Sequence, residues 1–489
     1  EEVSETFDLV LDLGEVARIA SHQPPQGYFH AADDAALIGA VLQLRECVGE
    51  FEKPKFFQYR QKICAHTRNE QIGCTACIDV CSADAIRSDA ALKGRTSSGG
   101  IVVEPHLCVG CGACTTVCPS GALSYAAPRP DETGRRIRTM LTTYAKAGGV
   151  DAAVLIHSQG AGADVIGILG RAARVSRDVQ GVPARVLPLE VWHTASVGID
   201  VWLAAIAQGA SQVWVLMTDE EAPDYRLALV AQMEVAQAIL TGLGYAGEHF
   251  RVVDARGVVA GVATDSRRPP SGPARPPGPG RVLEIAADLV RVDRSLRMAP
   301  AARVGRPASF AVQADKRATL DLAIDHLMQV SSVVPDVIAL PAPASPFGSI
   351  VVDTNACTLC LACVGACPEA ALADNADRPQ LRFIEKNCVQ CGLCASTCPE
   401  DAITLQPRLL LADSGRARKG TRVLNEVDPF CCVRCGKPFG TPQAVGAMVA
   451  RLGSHAMFQG AAAERLKMCG DCRVIDIHSS STEVRIGDL

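Results

Sequence analysis

The chain has 489 residues, 48% of them hydrophobic and 21% charged. That length is too great for a single core, so roughly three to five compact units are expected, and the apolar content excludes a globally disordered chain. With 48 basic against 53 acidic residues the net charge is −5, which excludes a general attraction to nucleic acid or anionic membranes and points to protein partners.

No stretch reaches the uninterrupted apolar length of a transmembrane helix, and Glu1-Glu2-Val3-Ser4 lacks a basic start, so no membrane span and a cytoplasmic location are the expectations. Residues 1–60 read as an N-terminal αβ docking unit, with a strand over Phe7 to Leu13 and a helix over Ala35 to Val48. Cys47, in the apolar stretch of that helix, reads as an inert buried thiol.

The 22 cysteines are too many for a chain without disulfide context and are natural as metal ligands. In residues 61–127, Cys108-x2-Cys111-x2-Cys114-x3-Cys118-Pro119 is the bacterial ferredoxin run. Ahead of it an altered copy keeps Cys74-x2-Cys77-x3-Cys81, with Cys64 further upstream behind the insertion Ala65 to Gly73. Residues 346–408 hold two full copies, Cys357-x2-Cys360-x2-Cys363-x3-Cys367-Pro368 and Cys388-x2-Cys391-x2-Cys394-x3-Cys398-Pro399.

Three close thiolates on one tight loop wrap three corners of a cuboidal cluster, and in two-cluster ferredoxins the fourth cysteine of each run serves the other cluster. The spacing therefore predicts four [4Fe–4S] clusters. The ligand sets are Cys64, Cys74, Cys77 and Cys118; Cys108, Cys111, Cys114 and Cys81; Cys357, Cys360, Cys363 and Cys398; Cys388, Cys391, Cys394 and Cys367. The competing reading, zinc or plain buried thiols, has most force at Cys64, where the first spacing is long.

Residues 138–262 alternate strand and helix. Strands are predicted at 152–157, 184–189, 213–217 and 250–253, with helices from Ala163, over Ser196 to Gln208 and over Tyr225 to Leu243. Crossover rules make this a parallel sheet with helices on both faces, a flavodoxin-like fold. The turn Ser158-Gln159-Gly160-Ala161-Gly162-Ala163 stands where a flavin phosphate would bind, but packing alone explains small residues there and no flavin is expected. His157 and His193 read as structural.

A Pro/Gly-rich linker occupies 263–280, and its core, Arg267 to Gly280, is incompatible with helix or sheet. A helical connector follows over 281–345, with helical periodicity in Arg281 to Leu296 and Lys316 to Val330. In residues 422–480, Cys432-x2-Cys435-Gly436-Lys437 and Cys469-Gly470-Asp471-Cys472 form a four-cysteine, zinc-ribbon-like unit, bridged by a helix capped at Thr441-Pro442 and patterned from Val445 to Phe458. Structural zinc is the first reading, and a fifth iron–sulfur cluster using Cys431 is the alternative. The fold class expected is thus multidomain α+β and α/β, with two bacterial-ferredoxin-like 2[4Fe–4S] modules on either side of a flavodoxin-like domain in the sequence and a zinc-ribbon-like unit last.

The middle segment, through Leu187-Pro188-Leu189-Glu190 and Ile206 to Leu216, resembles the small iron–sulfur subunit that links hydrogenase to heterodisulfide reductase. The corresponding loops, Trp192-His193-Thr194-Ala195-Ser196 and Thr218-Asp219-Glu220, carry no cysteine, so the cluster that this family binds in the domain is not expected. Module order, with Phe51 to Phe57, Cys388 to Cys394 and Cys432 to Gly440, resembles polyferredoxin-like 4Fe–4S proteins of proteobacteria that accompany molybdenum formate dehydrogenases. That resemblance implies subunits of such an enzyme as partners.

Three functions fit these readings. The first is a non-catalytic electron-transfer subunit of an oxidoreductase complex. The second is a redox enzyme with flavin or substrate in the α/β domain, against which stands the absence of a dinucleotide fingerprint and of a nucleophile paired with a base. The third is an assembly or sensing protein with structural clusters.

Overall fold

A computed structural model describes all residues except 1–4, 6, 51, 69–70, 90–98, 259–278, 456–457, 460 and 480–489. The chain divides into two compact units, one comprising Glu1–His66 and Thr75–Ser345, the other Thr67–Cys74 and Pro346–Leu489.

The first unit opens with β1 (Val10–Asp12) paired in parallel with β2 (Tyr28–His30), followed by α1 (Asp34–Glu46), which Asp33 caps by accepting the Ala36 amide. Cys47 ends that helix half-buried, not buried as expected, because α1 keeps one face in solvent with Ile38, Val41 and Leu42 exposed.

The first cysteine module follows. β3 (Phe57–Tyr59) leads to α2 (Ala76–Asp79), the hairpin of β4 (Ile86–Ser88) and β5 (Ile101–Val103), α3 (Ala113–Val117) and β6 (Leu123–Tyr125). β3 pairs antiparallel with β6, so the first strand closes on the last, and β4 with β5 makes an inner hairpin between the two cysteine runs.

Then come α4 (Pro130–Lys146), β7 (Ala153–Ser158), α5 (Ala161–Val175), β8 (Val186–Val191), α6 (Ile199–Ala207), β9 (Gln212–Met217), α7 (Pro223–Gly242) and β10 (Phe250–Asp254). The four strands form one parallel sheet in the order β8-β7-β9-β10. β7 and β9 are buried at every residue, as their unbroken apolar runs require of central strands covered on both faces. α4 starts at Pro130, ahead of the boundary read at 138, with proline in its first turn and Asp131 and Glu132 at the positive end of the helix dipole.

Two further helices, α8 (Pro279–Ser295) and α9 (Lys316–Val330), complete this layer instead of forming a separate connector. Leu289, Val292 and Leu296 join Leu155, Trp214 and Val253 in the core. α9 buries Leu320, Ala323, Ile324 and Leu327 and packs on α6. An apolar stripe at i, i+3, i+4 and i+7 finds its cover on the nearest helix or sheet face. Pro279 and Gly280 lie in α8, which corrects the linker's expected end, while Arg267 to Gly278 lies outside the described residues.

In the second unit, β11 (Gly348–Val352), α10 (Ala362–Ala366), β12 (Leu372–Ala373), β13 (Gln380–Ile384), α11 (Leu393–Ser396) and β14 (Ile403–Leu410) repeat the plan of the first module. β11 pairs antiparallel with β14, from Gly348↔Pro407 to Val352↔Ile403, and β12 with β13 is the inner hairpin. β15 (Thr421–Glu426) adds to β13. The C-terminal part is a hairpin of β16 (Phe430–Cys431) and β17 (Pro438–Gly440), then α12 (Pro442–Leu452) and α13 (Gly470–Ser479). α12 stops at Gly453, short of the expected Phe458. Cys469 and Cys472 straddle the start of α13, so the second cysteine pair sits at a helix N-terminus, not in a second knuckle of ribbon type. Among the described residues no helix is long and apolar enough to cross a membrane.

Candidate metal centres

Each cysteine run turns through the same backbone. In three runs the second and fourth residues after the first cysteine are left-handed: Gly110 and Gly112, Leu359 and Leu361, Gln390 and Gly392. For a non-glycine residue this costs about 1–2 kcal/mol, strain that a loop keeps only where it must fold its thiols inward. All four runs also place a left-handed residue three positions after the last cysteine: Asp84, Gly121, Ala370 and Asp401. The altered first run therefore ends as the others do, despite its insertion.

The same turns aim amides at sulfur. The Sγ of Cys81, Cys367 and Cys398 accept the amides of Ala85, Ala371 and Ala402 at 3.3, 3.3 and 3.4 Å, and Cys118 Sγ accepts that of Leu123 at 3.5 Å. Such bonds favour the thiolate and tune any metal it holds.

In the second unit the grouping crosses between runs. One pocket is lined by Cys357, Cys360 and Cys363 of one run and Cys398 of the other. A second is lined by Cys388, Cys391 and Cys394 with Cys367. Burial, then the nearness of Cys357, Cys360 and Cys398, pushes the Cys363 thiol up to about 12. Burial, with Cys388 and Cys367 adding to it and the Leu393 amide opposing, takes Cys391 to about 12, and Cys394 is raised by burial, Cys388 and Cys391.

The first module shows the same crowding. Cys64, Cys77 and Cys118 are buried with Ile86, Ile101 and Leu123, and Cys81 and Cys114 pack against them. Cys114 is driven up by burial first, then by Cys111, Cys77, Cys108 and Cys81. Burial takes Cys111 to about 11, opposed by the Ala113 amide and reinforced by Cys81 and Cys108. Tyr59 accepts the Ile101 amide at 3.0 Å, and burial and its bond to Cys64 hold its hydroxyl protonated. Cys74 ends the Thr67–Cys74 segment of the other unit. Thiols packed into apolar pockets resist ionisation, and an iron–sulfur group, whose cationic irons replace their protons, removes that penalty; the donor sets fit such a group.

Residues 72–122 and 349–399 each match the 4Fe-4S dicluster domain. The chain is thus an iron–sulfur protein with two dicluster domains, in keeping with an electron-transfer role. No curated protein matches the chain. The first match begins after Cys64, the ligand whose spacing departs from the pattern.

The first dicluster domain packs on the α/β layer at the carboxyl ends of its strands. Gly112 lies over Ser196, where an added Cβ would meet Ser196 Cα at 2.8 Å, and Phe56, beneath Gly110, stacks on Trp192 with ring centroids 6.1 Å apart. In the same region Glu220 accepts the Ala161 amide at 3.1 Å and the Ser158 hydroxyl at 2.6 Å. Its carboxylate takes the helix N-terminal place that a flavin phosphate would need. No sequence signal marked this, because the glutamate comes from the loop after a different strand. His157 Nδ1 pairs with the Ser158 carbonyl at 2.9 Å, and His193 Nδ1 accepts the Ala195 amide at 3.1 Å.

In the C-terminal group the sulfurs of Cys432, Cys435, Cys469 and Cys472 all lie within 4.8 Å of one another, and Cys435 and Cys469 are 3.7 Å apart. Cys431, exposed, is not among them. Although burial opposes it, the amides of Cys469, Cys435 and Arg434 bring Cys432 down to about 6, whereas a hydrogen bond with Cys435 and burial lift Cys472 to about 12. Thr441 caps α12 by accepting the Ala444 amide and donates to the Thr358 carbonyl at 2.7 Å, tying this group to the Cys357–Cys360 loop.

Proposed function

We propose that the protein passes single electrons through four [4Fe–4S] clusters, two in each dicluster domain, between a redox enzyme and an acceptor. The observation that carries this is the pair of cavities in the second domain, each lined by three thiols of one run and the fourth of the other. The ligand sets are those that the spacing predicts, with Cys74 assigned to the set of Cys64, Cys77 and Cys118 on spacing alone. When bound, such clusters supply one-electron redox steps at potentials set by burial and by hydrogen bonds to sulfur. The protein's part is to hold the thiolates inward, aim amides at them and exclude water.

The α/β domain serves as a scaffold. Its strand order is that of a flavodoxin-like sheet lacking the fifth strand. With Glu220 in the anion place, the electron-transfer reading is favoured over a flavoenzyme. A molybdenum formate dehydrogenase as donor rests on the sequence resemblance.

At the C-terminus, a single tetrahedral zinc ion is favoured over a fifth cluster. Zn–S bonds of about 2.3 Å put tetrahedral sulfurs about 3.8 Å apart, close to the separation of Cys435 and Cys469. A cluster interposes its own irons and sulfides and needs thiolates spread more widely. Metal and sulfide analysis of anaerobically purified chain tests the whole reading: about sixteen iron and one zinc, with reversible one-electron bleaching, are expected. About twenty iron without zinc would refute the zinc site, and iron absent from the 16 ligand cysteines would refute the wire.

A further inference from the structure

Lys316, the first residue of α9, is only 8% exposed and sends its ammonium into the first dicluster domain. Nζ donates to the carbonyls of Thr115 at 3.3 Å, of Thr116 and of Cys118 at 3.0 Å. Three carbonyl acceptors match the three protons of an ammonium ion; burial lowers the Lys316 pKa, and the charges of Asp200 and Cys118 oppose that. The nearest acidic influence is Asp200 of α6, 5% exposed, whose carboxyl is raised by burial and drawn back down by Lys316. On the solvent side Arg60 and Asp315 pair with each other at 3.0 Å.

Capping a short helix does not require a buried charge. At the matching place in two other runs a neutral amide does the work: the Cys81 carbonyl accepts the amide of Asp84 and the Cys398 carbonyl that of Asp401. Burying an ammonium is costly, and what it provides beyond a hydrogen bond is a fixed positive charge in a medium of low dielectric.

We propose that Lys316 is a positioning charge that raises the reduction potential of the iron–sulfur cluster ligated through Cys118. The proposal rests on the reading of Cys118 as a ligand. Reduction adds one electron, and so one negative charge, behind the Cys118 thiolate; the ammonium stabilises the reduced form more than the oxidised one. The cluster of Cys118 is thereby set apart from those whose runs end on neutral amides, and becomes a place where an electron rests.

The test is an EPR-monitored redox titration of the full chain, with dithionite as the one-electron donor. Lys316→Met should retain iron and sulfide while one cluster becomes harder to reduce, by at least tenfold in its reduction equilibrium, which is 59 mV for a one-electron couple. Lys316→Arg should restore the wild-type value, and the remaining clusters should not move. Full iron with every cluster titrating as in the wild type would overturn the proposal. If Lys316→Met loses iron, Lys316→Gln decides: its neutral amide still donates toward the carbonyls without the charge, and the same cluster should become harder to reduce; no shift there overturns the proposal. Wild-type chain with no iron at Cys118 would instead overturn the ligand reading beneath it.

Discussion

Replacing Gly112 with alanine should damage the seat of the first dicluster domain on the α/β layer. Gly112 has φ +90°, and the left-handed region costs a side chain about 1–2 kcal/mol. The new Cβ would meet Ser196 Cα at 2.8 Å and Tyr125 Cδ2 at 3.1 Å, and since the nearest atom is backbone it cannot swing aside. Overpacking of that kind costs about 1–3 kcal/mol, so the sum is about 2–5 kcal/mol. Gly148→Ala supplies the control: φ is +86° and nothing lies within 4 Å of its Cβ, so only the backbone cost remains. Both variants would be loaded with iron and followed by thermal denaturation monitored at the cluster absorbance. At roughly 2–4 °C per kcal/mol for a mid-sized domain, Gly112→Ala should melt several degrees below Gly148→Ala. Equal melting temperatures would refute the close seating of the Cys111–Cys114 loop on Ser196.

Cys398→Ser should empty the cavity of Cys357, Cys360 and Cys363, with a loss of about four iron per chain, while the cluster of its own run persists; loss from its own run would refute the crossing. Asp254 is held at about 2 by its hydrogen bond with Arg256, with Arg226 also near. A depressed carboxylate contributes stability above its unfolded pKa of about 3.9, and this is lost as pH falls through about 2. Asp254→Asn should therefore lower neutral-pH stability by under about 1 kcal/mol, the partly exposed pair being screened, and match the wild type in strong acid. A deficit of the same size at both pH values would refute the ion-pair account.

The cysteine runs were legible because a cubic cluster dictates spacing, and the central strands because burial on both faces demands unbroken apolar runs, as in Val154 to Ile156 and Val213 to Met217. What stayed hidden depends on distant pairing. Arg281 to Leu296 and Lys316 to Val330 announced helices, but periodicity does not say which surface a stripe will cover. Lys316 looked like any lysine opening a helix. Glu220 filled a loop whose glycines advertised a ligand. The second C-terminal cysteine pair shares its spacing with a knuckle, yet Gly470 to Ser479 coils into a helix at once.

Both dicluster domains close by pairing a strand that precedes the first run with one that follows the last, β3 with β6 and β11 with β14. During synthesis, every thiol from Cys64 to Cys118 leaves the ribosome before Leu123–Tyr125 exists to shut the pocket. Nascent chain thus presents a comb of open thiols that would take zinc or copper as readily as iron. The closing strand is the element that turns an open set of thiols into an enclosed one.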